Sequence, residues 1–343
     1  MKKAIQIIGM MCMTVVLAMG VSSCKKNNPQ TVSSFTIGLS AIGGDNPFDD
    51  SKAYLDMVDG VMKWYGGDAV MIYSIDEDYT KSQAMAFNGD ADIEGATVAH
   101  FTGYHMPMGS EGFFAFYPAS KATPTIAAGN RATFNVGATQ TYEKDLFSTT
   151  PRAGRIFMDP RGYVGAATCD VIEPHASFSL RPIFGFINVR VKDTNNSGRK
   201  LKSVTIKDNT KYLTGTMSIN IPALTDARLN TMKTLGENYK ANGNMDAYLP
   251  VMEGILNDIG YMATGTGHEV TLDCSAANGV LIDGSYKYFL IPLRPGALLG
   301  SFSVTLEFET GDDVNIDAAD KRYISIPGFY TNVSIDLKTG LIQ

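Results

Sequence analysis

The second half of the chain shows a regular alternation of apolar and polar residues over several short runs. In residues 302–308 (FSVTLEF), every second residue is apolar and the residues between them are polar. The same period of two occurs in residues 187–192, 203–207, 217–221 and 333–337. Successive side chains of a strand point to opposite faces, so each run has one buried and one solvent-facing side. The pattern predicts antiparallel sheets packed as a sandwich.

The first half of the chain has more Gly and Asp turns and a less regular alternation. Strands are predicted at residues 35–39, 70–75, 113–117, 132–136 and 163–172. A run of turns ends near residues 173–175, and a fresh set of alternating runs begins there. We therefore predict an all-β protein with two antiparallel β-sandwich domains, residues 35–174 and residues 175–343.

One segment departs from the period of two. Between Met245 and Ile259, apolar residues recur at three- and four-residue spacing, which is typical of one face of a helix. Pro250 fits a helix only near its first turn. We predict that residues 223–261 are a partly helical insertion in the second domain, and that the apolar stripe packs against the body.

Composition favours sheets and excludes one class of partner. Only 19 % of the residues are charged, while Thr, Ser and the β-branched and aromatic residues are common. The formal net charge is −6. A surface that binds nucleic acid needs an excess of basic residues, so we predict no nucleic-acid partner.

The N-terminus has the pattern of a secretory signal. Lys2 and Lys3 precede an apolar stretch over residues 4–21, and small residues lead up to Cys24. Residues 1–23 are therefore predicted to be a signal peptide, cut between Ser23 and Cys24. Removal of Lys2 and Lys3 changes the formal charge of the chain from −6 to −8.

A cysteine directly after the small residues resembles the lipobox of bacterial lipoproteins. That resemblance implies a lipid on the Cys24 thiol, which would anchor the mature chain in the outer membrane, since several acyl chains hold a protein there almost permanently. The alternative is an ordinary export signal followed by a chance cysteine. Residues 24–34 are polar and lack periodicity, so they are predicted to be a flexible tether.

Two further cysteines, Cys169 and Cys274, lie in the body. Export permits a disulfide between them. However, Cys274 falls on the apolar phase of residues 270–274, which favours a buried free thiol.

Few residues suggest catalysis or the binding of a metal or cofactor. Asp90, Asp92 and Glu94 begin like a calcium loop, but Phe101 stands where the closing carboxylate belongs, so a solvated turn is predicted. The chain has four histidines and no P-loop, dinucleotide fingerprint or G-x-S-x-G element. We predict no catalytic, cofactor-binding or metal site, and a protein that is not an enzyme.

Four segments together resemble the fimbrillin family, the pilin-like lipoproteins of Gram-negative gut and oral anaerobes. Residues 64–70 (WYGGDAV) are similar to the family's W-x-x-G-D strand entry, and residues 113–119 (FFAFYPA) to its aromatic strand. Residues 178–191 look like the strand pair that opens the second domain, and residues 288–292 (YFLIP) like its late strand. Their order and spacing match over nearly the whole mature chain. Local physics also predicts that Trp64, the only Trp, fastens a strand entry to the core.

The resemblance implies transthyretin-like sandwich domains and a role in cell-surface fimbriae as a stalk, anchor or tip subunit. In the family, a protease that cuts after Arg removes the lipid and the first strand of a stalk subunit. A strand from another subunit then fills the open groove by β-strand addition.

This chain departs from that scheme. Its first arginine is Arg131, and only Lys25 and Lys26 lie between Cys24 and the predicted first strand. An Arg-specific cut cannot remove residues 35–39. Either another protease acts near Lys52 or Lys63, or the first strand stays, which favours an anchor or accessory subunit. The few residues after 333–337 also leave little tail to serve as a donor strand.

A second hypothesis is a stand-alone surface lipoprotein whose loops bind host glycans or proteins. Tyr104, Tyr142 and Tyr330 could then stack on sugars, although core packing also accounts for them.

Overall fold

The structure is a computed structural model. It describes residues 31–39, 64, 68–75, 83–90, 92, 96–107, 112–117, 125–127, 131–142, 165–169, 176–182, 184–209, 212–220, 227–228, 231, 234, 238, 245–258, 262–294, 298–299, 302–318, 323–325 and 330–342. The residues of the predicted signal peptide, Ser23 and Cys24 among them, lie outside the described residues.

The described part of the chain is built mainly of strands, as predicted for an all-β protein. The strands are β1 (Thr31–Leu39), β2 (Ala69–Ile75), β3 (Gln83–Gly89), β4 (Val98–Pro107), β5 (Gly112–Tyr117), β6 (Thr125–Ala127), β7 (Arg131–Val136), β8 (Thr139–Thr141), β9 (Gly165–Cys169), β10 (Ala176–Pro182), β11 (Gly185–Lys192), β12 (Lys200–Asp208), β13 (Thr214–Asn220), β14 (Met262–Gly267), β15 (Glu269–Asp273), β16 (Val280–Leu281), β17 (Lys287–Leu293), β18 (Leu298–Leu299), β19 (Phe302–Phe308), β20 (Val314–Asp317), β21 (Tyr323–Ile324), β22 (Tyr330–Asp336) and β23 (Leu341–Ile342). Helix α1 spans Met245–Asp258.

Strands of the first half close into a barrel in the order β1-β10-β9-β5-β2-β3-β4. Closure leaves no free edge, because the last strand in the order, β4, pairs with β1. The barrel interior is filled by large aromatic side chains that are all fully buried, namely Trp64, Phe35, Phe87, Phe101 and Phe113.

Strands of the second half form two sheets around a single core. Sheet I has the order β17-β11-β22-β23, and sheet II has the order β20-β19-β12-β15-β8, with β16 also paired to β12. Val189 and Val333 of sheet I belong to the same buried cluster as Val204, Val270 and Val304 of sheet II. The predicted alternation holds well in β19, where the side chains are alternately buried and half-buried.

Among the described strands, three pairs are parallel, although only antiparallel pairs were expected from the alternation. They are β1 with β10, β11 with β22, and β8 with β15. Parallel neighbours need a long crossover connection. Each of these pairs joins strands that are far apart in the sequence. Alternation has the same period of two in parallel and antiparallel strands, so it could not predict the direction of pairing.

Strand pairing crosses the predicted boundary between residues 174 and 175, which itself stays a prediction. Strand β10 begins after that boundary but pairs with β1 and β9 in the barrel. Strands β7 and β8 precede it but pair with β13 and β15 of the second half. Sheet III, in the order β14-β13-β7-β6, therefore combines strands from both halves.

Two strands pass from sheet III into sheet II at tight bends. Strand β7 continues as β8 after residues 137–138, and β14 continues as β15 after His268. The Thr271 amide donates to the Ala138 carbonyl at 2.8 Å, so the two bends lie side by side. Strands that switch sheets in this way make the corners of a sandwich.

Helix α1 lies within the predicted insertion, and its apolar stripe is buried as expected at Met252 and Leu256. Residues 227, 228, 231, 234 and 238 are helical as well. Pro250 is the sixth residue of the helix, just beyond the first turn near which a proline was expected to fit. Proline removes one backbone donor there, and its ring stands on the exposed side. No helix of the described ranges is long and apolar enough to cross a membrane.

Cys274 is buried and free, as the apolar phase predicted. Burial, and to a lesser extent the neighbouring Asp273 carboxylate, raises the pKa of its thiol. Strand β1 begins at Thr31, so residues 31–34 of the predicted tether are already part of a strand.

Candidate functional site

Strand β1 is the described element nearest to Cys24, and it begins seven residues after that cysteine. It lies in the barrel between β4, to which it is antiparallel, and β10, to which it is parallel. We call this position, bounded by β4 and β10, the β1 slot. Whether β1 stays in its slot decides whether any lipid on Cys24 remains joined to the body.

Backbone pairing holds β1 on both sides. On one side it is in register with β4 from Thr31 to Gly38, with an irregularity between Val32 and Ser34. On the other side Phe35 to Leu39 are in register with β10. An exposed strand edge carries a row of unpaired N–H and C=O groups. Residues 35–38 have a neighbouring strand on each side, so they present no such edge.

Side chains fix β1 as firmly as its backbone does. Phe35 and Ile37 point into the barrel and are fully buried. The ring of Phe35 meets Phe87 of β3 and Phe113 of β5 edge-on, with centroid separations of 4.9 and 5.2 Å. Such T-shaped pairs add to the free energy gained from burial. The β1 slot is therefore lined by strands from across the whole first half.

Trp64 fastens the centre of β1, which confirms the role predicted for its indole. Its Nε1 donates a hydrogen bond of 3.0 Å to the carbonyl oxygen of Ile37. Its ring packs edge-on against Phe101 and Tyr117, at centroid distances of 4.7 and 5.2 Å. This buried hydrogen bond links the Trp64 side chain directly to the backbone of β1.

Hydrogen bonds position the two partners of this aromatic contact, Trp64 and Tyr117. The Tyr117 hydroxyl donates to Asp68 Oδ1 at 2.8 Å. Trp64 itself is placed by its backbone amide, which donates to the Ala96 carbonyl at 2.8 Å. The position of the indole is thus set by contacts to β5 and to the residues before β2 and β4.

The calcium-like motif does not form an ion site in the part of it that the structure describes. The Asp90 carboxylate accepts a bond from Thr102 Oγ1 at 3.4 Å and lies 3.1 Å from His100 Nδ1. Asp92 is exposed, and Phe101 is buried in the barrel. Glu94 lies outside the described residues. Among those that are described, no group of three or more His, Cys, Asp or Glu side chains could hold a metal ion.

Two of the tyrosines considered for sugar stacking are core residues, so that role is wrong for them. Tyr330 is almost fully buried, and Tyr142 packs against Phe289 with ring centroids 5.7 Å apart. Burial, with a smaller effect from Cys274, raises the pKa of Tyr142. Each lies on the apolar side of a strand or its extension. The side chain of Tyr104 is outside the described set.

Sequence reasoning missed a cationic cluster on the outer face of sheet I. Arg190 of β11 lies opposite Tyr288 of β17 on one side and Ser334 of β22 on the other. Arg190 and Lys192 both approach the ring of Tyr286, at 5.5 and 4.7 Å from its centroid. The signal in the sequence was two cations two residues apart on a strand, together with a Tyr-x-Tyr pair.

The same face is buried at its other end. The alternation of β11 predicted that Asn188 faces solvent, but its side chain is buried, and its Nδ2 donates to Asn332 Oδ1 at 2.7 Å. Phe186, two residues earlier, is buried too. The outer face of sheet I is therefore covered at the end that carries Phe186 and Asn188, and it is accessible at the end that carries Arg190 and Lys192.

Several solved structures resemble the chain in general outline. A protein of Bacteroides ovatus, provisionally named a cell adhesion protein, has a TM-score of 0.42 and 12 % identity over 92 % of this chain and 95 % of that one. A protein of Bacteroides fragilis with the same provisional name has a TM-score of 0.43 and 8 % identity, covering 92 % and 96 %. A fimbrial protein of Bacteroides ovatus has a TM-score of 0.37 and 9 % identity over 90 % of this chain and 49 % of that one.

This chain thus spans about half the length of that fimbrial protein. No protein-family model matches the chain, and no curated protein matches its sequence. No residue's role is carried over from those proteins.

Proposed function

We propose that this chain is a structural subunit of cell-surface fimbriae, in an anchor or accessory position, and that it has no enzymatic activity. It would be exported as an outer-membrane lipoprotein, cleaved after Ser23 and lipidated on Cys24. The observation that supports this most directly is the pairing of β1 with a strand on each side in the barrel. A lipid seven residues before β1 would be tied to the body through that strand.

Loss of β1 would open the barrel along its length. The edges of β4 and β10 would be left with unpaired backbone groups, and the places of Phe35 and Ile37 would be empty. Such a groove is stable only when another strand enters it. Release of β1 therefore has to be coupled to strand addition from a neighbouring subunit, which is the partner we propose for a processed form.

The positions of basic residues argue for retention of β1. No arginine precedes Arg131, so a protease that cuts after Arg cannot separate β1 from the rest of the barrel without destroying it. Lys25 and Lys26 precede β1, and cleavage there would remove the lipid but leave the strand. Only cleavage near Lys52 or Lys63 would release β1 together with the lipid.

The last described strand is also engaged within the chain. Strand β23 pairs with the end of β22, where Ile342 lies opposite Ile335 and Leu341 opposite Asp336. A strand that is held in its own sheet is not free to enter the groove of a neighbour. This favours a subunit that accepts or anchors over one that donates a strand at each junction.

The deciding experiment is the N-terminal sequence and intact mass of the mature protein isolated from cells. A lipidated start at Cys24 supports an anchor or accessory subunit. A start after Lys52 or Lys63 identifies a processed stalk subunit and rejects retention of β1. A Cys24→Ala variant serves as the matched control, because it should be exported but no longer sediment with membranes. If that variant remains membrane-bound, the lipid anchor is wrong.

Location in fibres needs a separate test. Immunogold labelling of intact cells should place the chain at the base of surface fibres for an anchor and along them for a stalk subunit. Its absence from every surface appendage would reject the fimbrial role while leaving the lipoprotein prediction intact.

A further inference from the structure

We propose that the accessible end of sheet I's outer face binds the acidic group of a sugar, in a subsite formed by Arg190, Lys192, Tyr286 and Tyr288. This inference goes beyond the fimbrial role and does not depend on it, because the subsite lies in the second half of the chain, away from the β1 slot.

The guanidinium of Arg190 is the centre of the subsite. It is half-buried, and both its Nε and its Nη2 donate to the hydroxyl oxygen of Ser334, at 3.0 Å for Nε. It forms no ion pair with a carboxylate of the described residues. A charge that is partly removed from water is normally paired. An unpaired one, on a chain whose formal charge is −6, calls for an outside anion.

The geometry leaves the right donors free. A guanidinium carries five N–H groups in a planar fork, and the bonds to Ser334 occupy those on one edge. The two Nη atoms still present a pair of parallel donors at the end of the side chain. That pair matches the two oxygens of a carboxylate or sulfate group.

Lys192 adds a second positive charge beside the first. It follows Arg190 by two residues on β11, so both side chains lie on the same face of the sheet. Its ammonium is 3.7 Å from Asp336 Oδ2. That carboxylate also accepts bonds from the Thr194 and Lys338 amides and the Thr194 hydroxyl. Asp336 thus pairs with Lys192, and among the described residues no carboxylate pairs with Arg190.

The surroundings favour a sugar over a peptide as the carrier of the anion. Tyr286 and Tyr288 are half-buried beside Arg190 and offer ring surface of the kind that packs on the C–H face of a sugar ring. An extended peptide binds by adding a strand to a free sheet edge. Arg190 lies on β11, whose two edges are already occupied by β17 and β22.

The test is binding of 3′-sialyllactose, with lactose as its neutral counterpart and a glutamate-rich peptide as the competing class, to the full mature chain by titration calorimetry. We expect 3′-sialyllactose to bind and lactose to bind much more weakly. A second acidic probe, a sulfated lactose, should also bind, and comparison of the two separates carboxylate from sulfate preference. Equal binding of lactose, stronger binding of the peptide, or no binding of either acidic sugar overturns the proposal.

Variants locate the subsite. Arg190→Gln should weaken acidic-sugar binding by about 10- to 100-fold, as expected for loss of hydrogen bonds to a charged group. Lys207→Gln, an exposed lysine in sheet II, is the matched control and should change nothing. Arg190→Lys keeps the charge but lacks the fork, so it should also lose most of the affinity. If thermal unfolding shows that Arg190→Gln fails to fold, Lys192→Gln replaces it. Unchanged affinity in a folded variant at Arg190 or Lys192 rejects the assignment.

Discussion

The barrel of the first half and the paired sheets of the second half solve the problem of sheet edges in different ways. The barrel has no edge, because β1 completes it between β4 and β10. Sheets I and II keep edges, and three of the four edge strands are short: β8 has three residues, β20 has four and β23 has two, whereas β17, the other edge of sheet I, has seven. Short edge strands discourage unwanted pairing. The barrel therefore depends on one strand for its integrity, whereas the sheets can lose an edge strand and keep their core.

The core of the barrel also depends on fewer side chains than the core between sheets I and II. The barrel is filled by a few large rings, and Phe35 on β1 contacts rings on two other strands. The core between sheets I and II consists mainly of aliphatic side chains spread over many strands. Loss of one side chain should therefore be more damaging in the barrel, where each ring fills a larger share of the interior.

Deletion of residues 31–39 should have the largest effect. We expect the barrel to lose its fold, because β4 and β10 lose their partner and Phe35 and Ile37 leave the core. Fluorescence of Trp64, the only Trp, should shift to the red, and a synthetic peptide of residues 31–39 should restore it. Deletion of β23 is the control and should leave the emission unchanged. Native emission without the peptide would show that β1 is dispensable.

Phe35→Ala should destabilise the barrel by about 3–5 kcal/mol. The same change at Phe302 of sheet II should cost less, near the lower end of about 3 kcal/mol, and should act in the other half of the molecule. Chemical denaturation followed by Trp64 fluorescence reports on the barrel, and far-UV circular dichroism reports on both halves. We expect Phe35→Ala to move the fluorescence transition and Phe302→Ala to leave it in place. If both variants move both transitions equally, the halves unfold as one unit.

Trp64→Phe should have a smaller effect, of about 1–3 kcal/mol, because it removes the buried hydrogen bond to the Ile37 carbonyl and part of the ring that packs on Phe101 and Tyr117. Tyr117→Phe is the matched control. It removes a part-buried hydroxyl that bonds Asp68, and the expected loss is about 0.5–1.5 kcal/mol. Both are measured by urea denaturation followed by circular dichroism. A larger loss for Tyr117→Phe would mean that the indole bond is not what fixes β1.

The smallest expected effect is electrostatic and lies in the second half. The hydrogen bond from Lys287, followed by that from Ser285, lowers the pKa of Asp283 to about 2. A lowered pKa means that the stabilisation is complete above the usual carboxyl pKa of about 3.9 and is lost as the pH falls towards 2. Lys287→Gln should therefore destabilise the chain at pH 7 by about 0.2–1 kcal/mol, because the pair is partly exposed.

That difference between Lys287→Gln and the parent chain should shrink between pH 4 and pH 2, measured as the shift in thermal midpoint across this range. Lys207→Gln provides the control for loss of a positive charge alone. A difference that stays constant with pH would show that Lys287 acts through packing and not through Asp283.

The sequence predicted the second half better than the first because the second half obeys a simple period. Strand β19 is buried at every second residue, as its pattern indicated. The same rule failed at Asn188, which is buried. A period of two shows which side chains share a face of the sheet, but not whether the rest of the chain covers that face. The parallel pairing of β11 with β22 was equally invisible, because register between distant strands leaves no local mark.

The candidate site was predictable in part. That Trp64 is a fastening residue followed from its being the only Trp at a strand entry, but its partner, the Ile37 carbonyl, depends on the closed barrel. Strands β3 and β4 were not predicted. Gly103 of β4 illustrates the reason, since a Cβ at this position would stand 2.6 Å from the ring of Phe87. A glycine in a sequence usually indicates a turn. The sequence does not show that this glycine lies within a strand and makes room for a ring from the neighbouring strand.

The parallel pairing of β1 with β10 also means that the barrel cannot close until most of the first half of the chain has been synthesised. Ile37 lies opposite Phe178, so the first strand to be made waits for a partner synthesised roughly 140 residues later. At about 5–20 residues per second, that wait is on the order of 7–30 s. During this interval Phe35 and Ile37 have no barrel to enter. Pairing of β1 with β4 can form earlier, but the barrel closes only once β10 is available.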